Sequence, residues 1–368
     1  MLRRLLAVAL CAAALLPAEP VPARAEEAVL NVYNWSDYID PAAVERFQKE
    51  TGVQVRYDVF DSLETLEGKL SAGHSGYDVI VPTSEPTFSR LVRAGALKPL
   101  DRAKLPNWSN QDATLLRQVE SSDPGNRHGA IYLYGTVGLG IRADKVRELL
   151  PNAPLDSLDL LLKPEYAKRL AACGIAVMDS ATDVLPSVLH WLGRDADSTD
   201  GADLQAAEKA LLAIRPHVRA IIASGNILDA LATGEYCVAM TYSGDVIQAK
   251  ARADEAKQGI QLRYVQPKEG AQLWFDMLAI PADAPHPEAA HRFINFLLQP
   301  EVMAGITNAV HYPNAIPAAT PLVEEAVRED PNVYPTPEML ARTFTVRALS
   351  PQAERARSRL WNRFKAGR

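Results

Sequence analysis

Val29-Leu30-Asn31-Val32-Tyr33-Asn34-Trp35-Ser36-Asp37-Tyr38-Ile39-Asp40-Pro41 passes from a short β-rich run, Val29 to Tyr33, through a polar and aromatic turn into a helix start. Asp40 is placed to cap that helix and Pro41 to occupy its first turn. Val44 and Phe47 would be buried, and Gly52 ends it. A strand from Val53 to Val59 follows. Asp61-Ser62-Leu63-Glu64 then reads as a capping box opening a helix with Leu63, Leu66 and Leu70 on one side. Asp78 to Val81 is a third strand. Strand and helix alternate, which predicts an α/β protein with a mixed, mainly parallel sheet flanked by helices. Ligands in such sheets sit beyond the carboxyl ends of strands. Asn34 to Tyr38 and Thr83-Ser84-Glu85-Pro86 both hold that position.

Working outward, Ile131 to Ile141 is a strand whose clustered Gly135, Gly138 and Gly140 lack phosphate-loop spacing. A crossover between domains suits it better. A second alternating series follows: strand Gly174 to Met178, helices Thr182 to Leu192 and Leu204 to Ile214, a short helix Asn226 to Ala232, strand Tyr236 to Thr241, and a helix from Asp245 to about Lys257. Acids follow strands here too, at Asp179, Asp183 and Asp245. Each taken singly reads as a helix cap or first-turn residue. Gln261 to Val265 is a strand. Pro287 to Leu298 is an amphipathic helix, Ala309 to Ala315 a turn-rich segment carrying Tyr312, and Thr320 to Arg368 a helical tail whose interleaved charges mark a solvated surface.

One acid resists such a reading. Leu273-Trp274-Phe275-Asp276-Met277-Leu278-Ala279-Ile280 is an apolar run closed by Pro281, read as a buried strand. Alternation puts Trp274 and Asp276 on one face. A ring face and a carboxylate together favour a cation. The alternative is a structural acid bonded to backbone or arginine.

The ends and composition set the compartment and exclude some partners. Arg3 and Arg4, the apolar run Leu5 to Leu16 and Ala23-Arg24-Ala25 form a cleavable export signal over residues 1–25. Leu10 before Cys11 argues against a lipid anchor. Removing 25 of the 368 residues leaves 343, enough for two domains. The formal charge of −6 becomes −8 when the segment's net +2 is lost, which argues against a nucleic-acid partner. Cys173 and Cys237 remain, 64 apart. In an exported chain they are expected to pair, for roughly 4 kcal/mol of chain entropy; two buried free thiols are the alternative. His286 and His291 do not share a helical face, so no metal is expected there. Gly73-His74-Ser75-Gly76 misplaces the serine of a nucleophile elbow, and no catalytic constellation is evident.

Asn34-Trp35-Ser36-Asp37-Tyr38, Asp58-Val59-Phe60-Asp61, Tyr77-Asp78-Val79-Ile80-Val81-Pro82, Gly244-Asp245-Val246 and Pro267-Lys268-Glu269-Gly270-Ala271 resemble the periplasmic polyamine-binding proteins of ABC importers, the putrescine and spermidine receptors. The likeness runs from about residue 29 to the end. It implies a two-lobe periplasmic binding protein fold of the type II kind with a ligand cleft at the hinge. The lobes would be residues 26–135 with 260–312, and 136–259 with 313–368. It also implies a monomer that serves membrane permease subunits, with no catalysis, no cofactor and no metal. The implied aromatic box is Trp35, Tyr38, Tyr242, Trp274 and Tyr312. Its carboxylates are Asp37, Asp183, Asp245 and Asp276, with Ser36 and Ser180 as smaller contacts and the paired cysteines matching as well. Tyr242 stands where the family shows Trp, Asp183 where it shows Glu. Thr83 to Pro86 replaces a serine-rich segment, which adds Thr83 and Glu85 as candidates. Alternatives are a receptor for agmatine or an ω-amino acid, and a secreted hydrolase using paired carboxylates.

Overall fold

A computed structural model describes residues 29–71 and 73–368. The export signal lies outside them. The first half of the chain alternates as its sequence predicts: β1 (Val29–Trp35), α1 (Pro41–Thr51), β2 (Gln54–Phe60), α2 (Leu63–Ser71) and β3 (Val79–Ile80). Asp40 caps α1, its carboxylate accepting from Ala42 N, and Gly52 closes the helix in the left-handed region at φ 69°. Helix α1 buries Ala43 and Phe47; Val44 is only half-buried. The expected capping box is shifted by one residue. Ser62 Oγ accepts from Thr65 N at 3.1 Å, which frees Asp61 to accept from Ser36 Oγ at 2.8 Å.

The long strand β4 (Gly129–Arg142) joins two sheets. In the second half come β5 (Ile175–Met178), α3 (Ala181–Trp191), α4 (Gly201–Ile214), β6 (Ala220–Ile222), α5 (Ser224–Ala232), β7 (Val238–Tyr242), α6 (Ser243–Glu255), β8 (Leu262–Val265) and β9 (Ala271–Ala279). Strand order is β2-β1-β3-β9-β4-β7-β5-β6, with β8 also on β4. Gly129 to Thr136 of β4 pair with β9, whereas Val137 to Ile141 pair with β7. Strand β8 pairs with residues 139–142 of β4, on the second-lobe side. The chain therefore has two lobes, and β4 belongs to both.

Gly135 explains the clustered glycines. A Cβ there would meet the Trp274 ring at 2.6 Å. Gly135→Val is expected to cost about 1–3 kcal/mol through overpacking, read as a lower melting temperature in scanning calorimetry.

Toward the C-terminus come α7 (Pro287–Leu297), α8 (Pro300–Val310), β10 (Thr343–Phe344) on β9, and α9 (Pro351–Ala366). Strand β6, helix α8 and the short helices Ala113–Gln118, Ala143–Leu149 and Pro164–Leu170 are not among the elements the sequence predicts, although Pro300 at the first turn of α8 signals that helix. The tail is not helical throughout. Between residues 323 and 350 only two single helical turns, Glu325–Arg328 and Pro337–Leu340, and the short strand β10 form, in a segment broken by Pro331 and Pro335. Nor is α9 merely solvated: it buries Leu360, Trp361 and Phe364. Its Arg357, 8% exposed, donates to the carbonyls of Ala196 and Ser198. Cys173 and Cys237 are joined, with Cα atoms 5.5 Å apart, tying the start of β5 to the start of β7.

Candidate functional site

A narrow cavity of about 40 Å³ lies where the lobes meet. The first lobe contributes Trp35 at the end of β1 with Ser36 and Tyr38 after it, Phe60 at the end of β2 with Asp61 after it, Thr83 after β3, and Trp274 and Asp276 from β9. The second contributes Asp183 of α3, Ser224 of α5, Tyr242 at the end of β7 and Asp245 of α6; Tyr312 follows α8. Among the described residues, none that lines it is a lysine, arginine or histidine.

Four carboxylates line the cavity: Asp61, which is exposed, and Asp183, Asp245 and Asp276. Asp276 is 3% exposed and accepts from Thr83 Oγ1 at 2.6 Å, because residues 82–83 run beside β9. Burial pushes its pKa up to about 7, more than the Thr83 and Tyr38 hydroxyls pull it down. Asp245 accepts from Tyr312 Oη at 2.7 Å and Thr241 Oγ1 at 3.3 Å; burial lifts it to about 6. Asp183 accepts from Ser180 Oγ at 2.5 Å, Tyr242 Oη at 2.7 Å and Gln272 Nε2 at 2.9 Å, yet burial still leaves its pKa raised. Asp183 and Asp245 both occupy the third position of their helices, where the dipole favours an anion. Desolvation outweighs that benefit. Neither carboxylate caps its own helix, so their orientation toward the cavity needs another reason.

Rings enclose the acids. Tyr38 meets Tyr312 edge-on at 5.2 Å, Tyr312 meets Trp274 at 5.3 Å, and Trp274 meets Tyr242 at 5.6 Å. Trp35 lies against Phe60 and is fixed by Nε1 donating to Val81 O at 3.0 Å. Trp274 Nε1 is buried with no hydrogen-bond partner among the described residues, a cost that a bound ligand or water would relieve.

Three of the expected contacts do not line the cavity. Ser180 acts through Asp183. Glu85 turns away, accepting from Ser89 Oγ at 2.6 Å and Ser122 Oγ at 2.9 Å. Asp37 pairs with Arg252 at 2.7 Å outside it. Asp179, another acid after a strand, accepts from Trp361 Nε1 and pairs with Lys365. Phe60, Asp61 and Ser224 line the cavity without being among the expected contacts. Asp61 has a sufficient local reading as a helix cap, and Ser224 carries no sequence signal.

Residues 42–336 match the profile described as bacterial extracellular solute-binding protein. The chain belongs to that family. This solute-binding protein is 49% identical over 345 residues to the putrescine-binding periplasmic protein SpuD of Pseudomonas aeruginosa, covering 94% of each chain. It is 46% identical over 346 residues to the putrescine-binding periplasmic protein PotF of Escherichia coli, covering 94% and 93%. Among solved structures, it superposes on the spermidine/putrescine ABC transporter substrate-binding protein PotD from Streptococcus pneumoniae with a TM-score of 0.75 at 30% identity, covering 92% and 99%. Membership sets aside the secreted hydrolase, since the family binds solutes and is not enzymatic. No helix among the described residues is long and apolar enough to cross a membrane.

Chemically, the solute-binding protein offers buried negative charge without a protein cation to balance it inside the cavity. Carboxylates brought together and dehydrated repel one another and take up protons instead of ionising. A guest with separated positive charges and an apolar middle fits both the acids and the ring faces.

Proposed function

We propose that this solute-binding protein captures a short aliphatic diamine, putrescine before others, and hands it to the membrane permease subunits of an ABC importer. The observation that carries this reading is the convergence of Asp183, Asp245 and Asp276 with Trp35, Tyr38, Tyr242, Trp274 and Tyr312 around one narrow cavity between two lobes. Each ammonium–ring contact contributes about 0.5 to 2 kcal/mol, more as water leaves. Charge-assisted hydrogen bonds to Asp245 and Asp276 contribute further. Closure is favoured by a ligand that binds the closed form better than the open one. The names of the relatives support the same class of guest. The export signal would be cleaved near Ala25, so that a monomer works in the periplasm.

An ω-amino acid is disfavoured, because its carboxylate would enter a cavity lined by no cation. Agmatine, with a guanidinium at one end, remains within the polyamine class.

Calorimetric titration with putrescine, cadaverine, spermidine and agmatine tests this reading, together with X-ray scattering of the free and loaded protein. Binding of at least one amine with a smaller radius of gyration is expected. No heat and no compaction with any of the four would refute it.

A further inference from the structure

Strand β9 sends Gln272, Trp274 and Asp276 to one face, at a spacing of two. Trp274 and Asp276 line the cavity, while Leu273, Phe275 and Met277 pack into the core on the other face. Gln272, 2% exposed, touches Asp183 instead. The start of the strand is held on both sides, Gln272 beside Phe344 of β10 and Leu273 beside Thr136 of β4. From there the amide crosses to the second lobe, where Nε2 donates to Asp183 Oδ1 at 2.9 Å. Asp183 Oδ2 accepts from Ser180 Oγ and Tyr242 Oη, so among the described residues Gln272 is the side-chain donor to Oδ1. Its other end is less well placed: Gln272 Oε1 is buried with no partner among the described residues. An unpaired buried carbonyl costs free energy, and methionine, an apolar side chain of similar length, would avoid that cost. The glutamine is therefore explained by what its donor end does to Asp183, more than by its own packing.

We infer that Gln272 is a positioning residue for ligand capture: its amide fixes the Asp183 carboxylate and keeps it in the charged, accepting form that a cationic guest needs. This rests on the polyamine reading, since only a positively charged guest makes that charge matter. The chemistry is one-sided. A carboxylate only accepts, whereas a carboxylic acid must also donate. Because Oδ2 already takes two hydroxyl donors, the proton of a neutral Asp183 would sit on Oδ1, facing the amide N–H of Gln272. Turning the amide over would relieve that contact only by leaving Nε2 buried and unpaired in place of Oε1. Burial pushes Asp183 toward the protonated form, and Ser180, Tyr242 and Gln272 oppose it. The ionisable side chains facing Asp183 are Tyr242 of β7, Asp276 of β9 and Glu64 of α2, and none of them can supply positive charge. Apart from the first turn of α3, neutral donors hold the charge in place until an ammonium arrives.

The test is calorimetric titration with putrescine, in neutral buffers of different ionisation enthalpy, of the wild type, Gln272→Met, Asp183→Asn and the double variant. Gln272→Met keeps the length of the side chain and removes the donor. It is expected to weaken putrescine by about tenfold, as loss of a hydrogen bond to a charged group should. It is also expected to release more protons on binding than the wild type does, because Asp183 must then ionise as the ligand arrives. In the Asp183→Asn background the same change is expected to cost less than about twofold, the coupling being read from the cycle. Gln272→Asn, whose shorter side chain draws the amide back from Asp183, is the second variant, with the same direction expected for both readouts. Unchanged affinity in both Gln272 variants overturns the inference. So does a loss without added proton release, or an equal loss in both backgrounds, either of which would make Gln272 a packing residue. A wild type that gives no heat with putrescine, cadaverine, spermidine or agmatine sinks the polyamine reading itself.

Discussion

Asp276→Asn is expected to weaken putrescine binding by about 10- to 100-fold, the loss of about 1.5–3 kcal/mol carried by a hydrogen bond to a charged group. Asparagine keeps the shape and still accepts from Thr83 Oγ1, so the fold is retained. The free protein should even gain from the change. In the wild type the folded-state pKa of Asp276 is raised to about 7 by burial. Its protonated form is therefore favoured by folding, a contribution present at low pH and lost as pH rises through about 7. The neutral amide of the variant carries no such penalty near neutrality. Melting curves of the free proteins should converge toward acid pH and diverge at neutral pH, with the variant higher. Unchanged putrescine affinity in calorimetry would remove Asp276 from the binding site.

Affinity for a diamine is expected to fall on the order of 100-fold between about pH 7.5 and pH 5.5, because protons compete with ammonium groups for Asp276 and Asp245. The sign follows from the direction of both shifts. Burial raises Asp276 to about 7 and Asp245 to about 6, so each is partly protonated in the free protein across this window and must ionise to receive a cation. The ligand amines, with pKa values near that of lysine at about 10.4, stay charged throughout. Binding near pH 6.5 should thus release about one proton, visible as a dependence of the binding heat on the buffer's ionisation enthalpy. Constant affinity across that range, with no proton release, would mean that neither acid meets the ligand's charge.

The alternation from Val29 to Val81 made the α/β class legible, since period and punctuation are local properties. Asp276 was legible for a different reason: a carboxylate inside an apolar strand contradicts its own surroundings. Asp183 and Asp245 are named only by the resemblance, because an acid in a first helical turn has a sufficient local explanation. Only the fold reveals that Asp183 accepts from Tyr242 and Gln272 and that Asp245 accepts from Tyr312. Asp37 erred the other way. Its place in the turn after β1 pointed to the cavity, but the side chain's direction depends on Arg252, more than two hundred positions away in the chain. Glu85 was drawn off by Ser89 and Ser122 in the same fashion. Arg357 shows the limit for charge patterns: two carbonyls of the segment before α4 make a buried site for it that periodicity cannot foresee.

The place of β9 between β3 and β4 also bears on when the protein can fold. A nascent chain that has emerged only as far as residue 270 holds β3 and β4 but lacks the strand that bridges them, and both keep open edges. The first lobe is thus completed by late, sequence-distant pairing, the slow kind. For a polypeptide threaded through a translocation pore, such a delay is useful: the first lobe stays incomplete until the chain has been synthesised past Ala279, about three-quarters of its length.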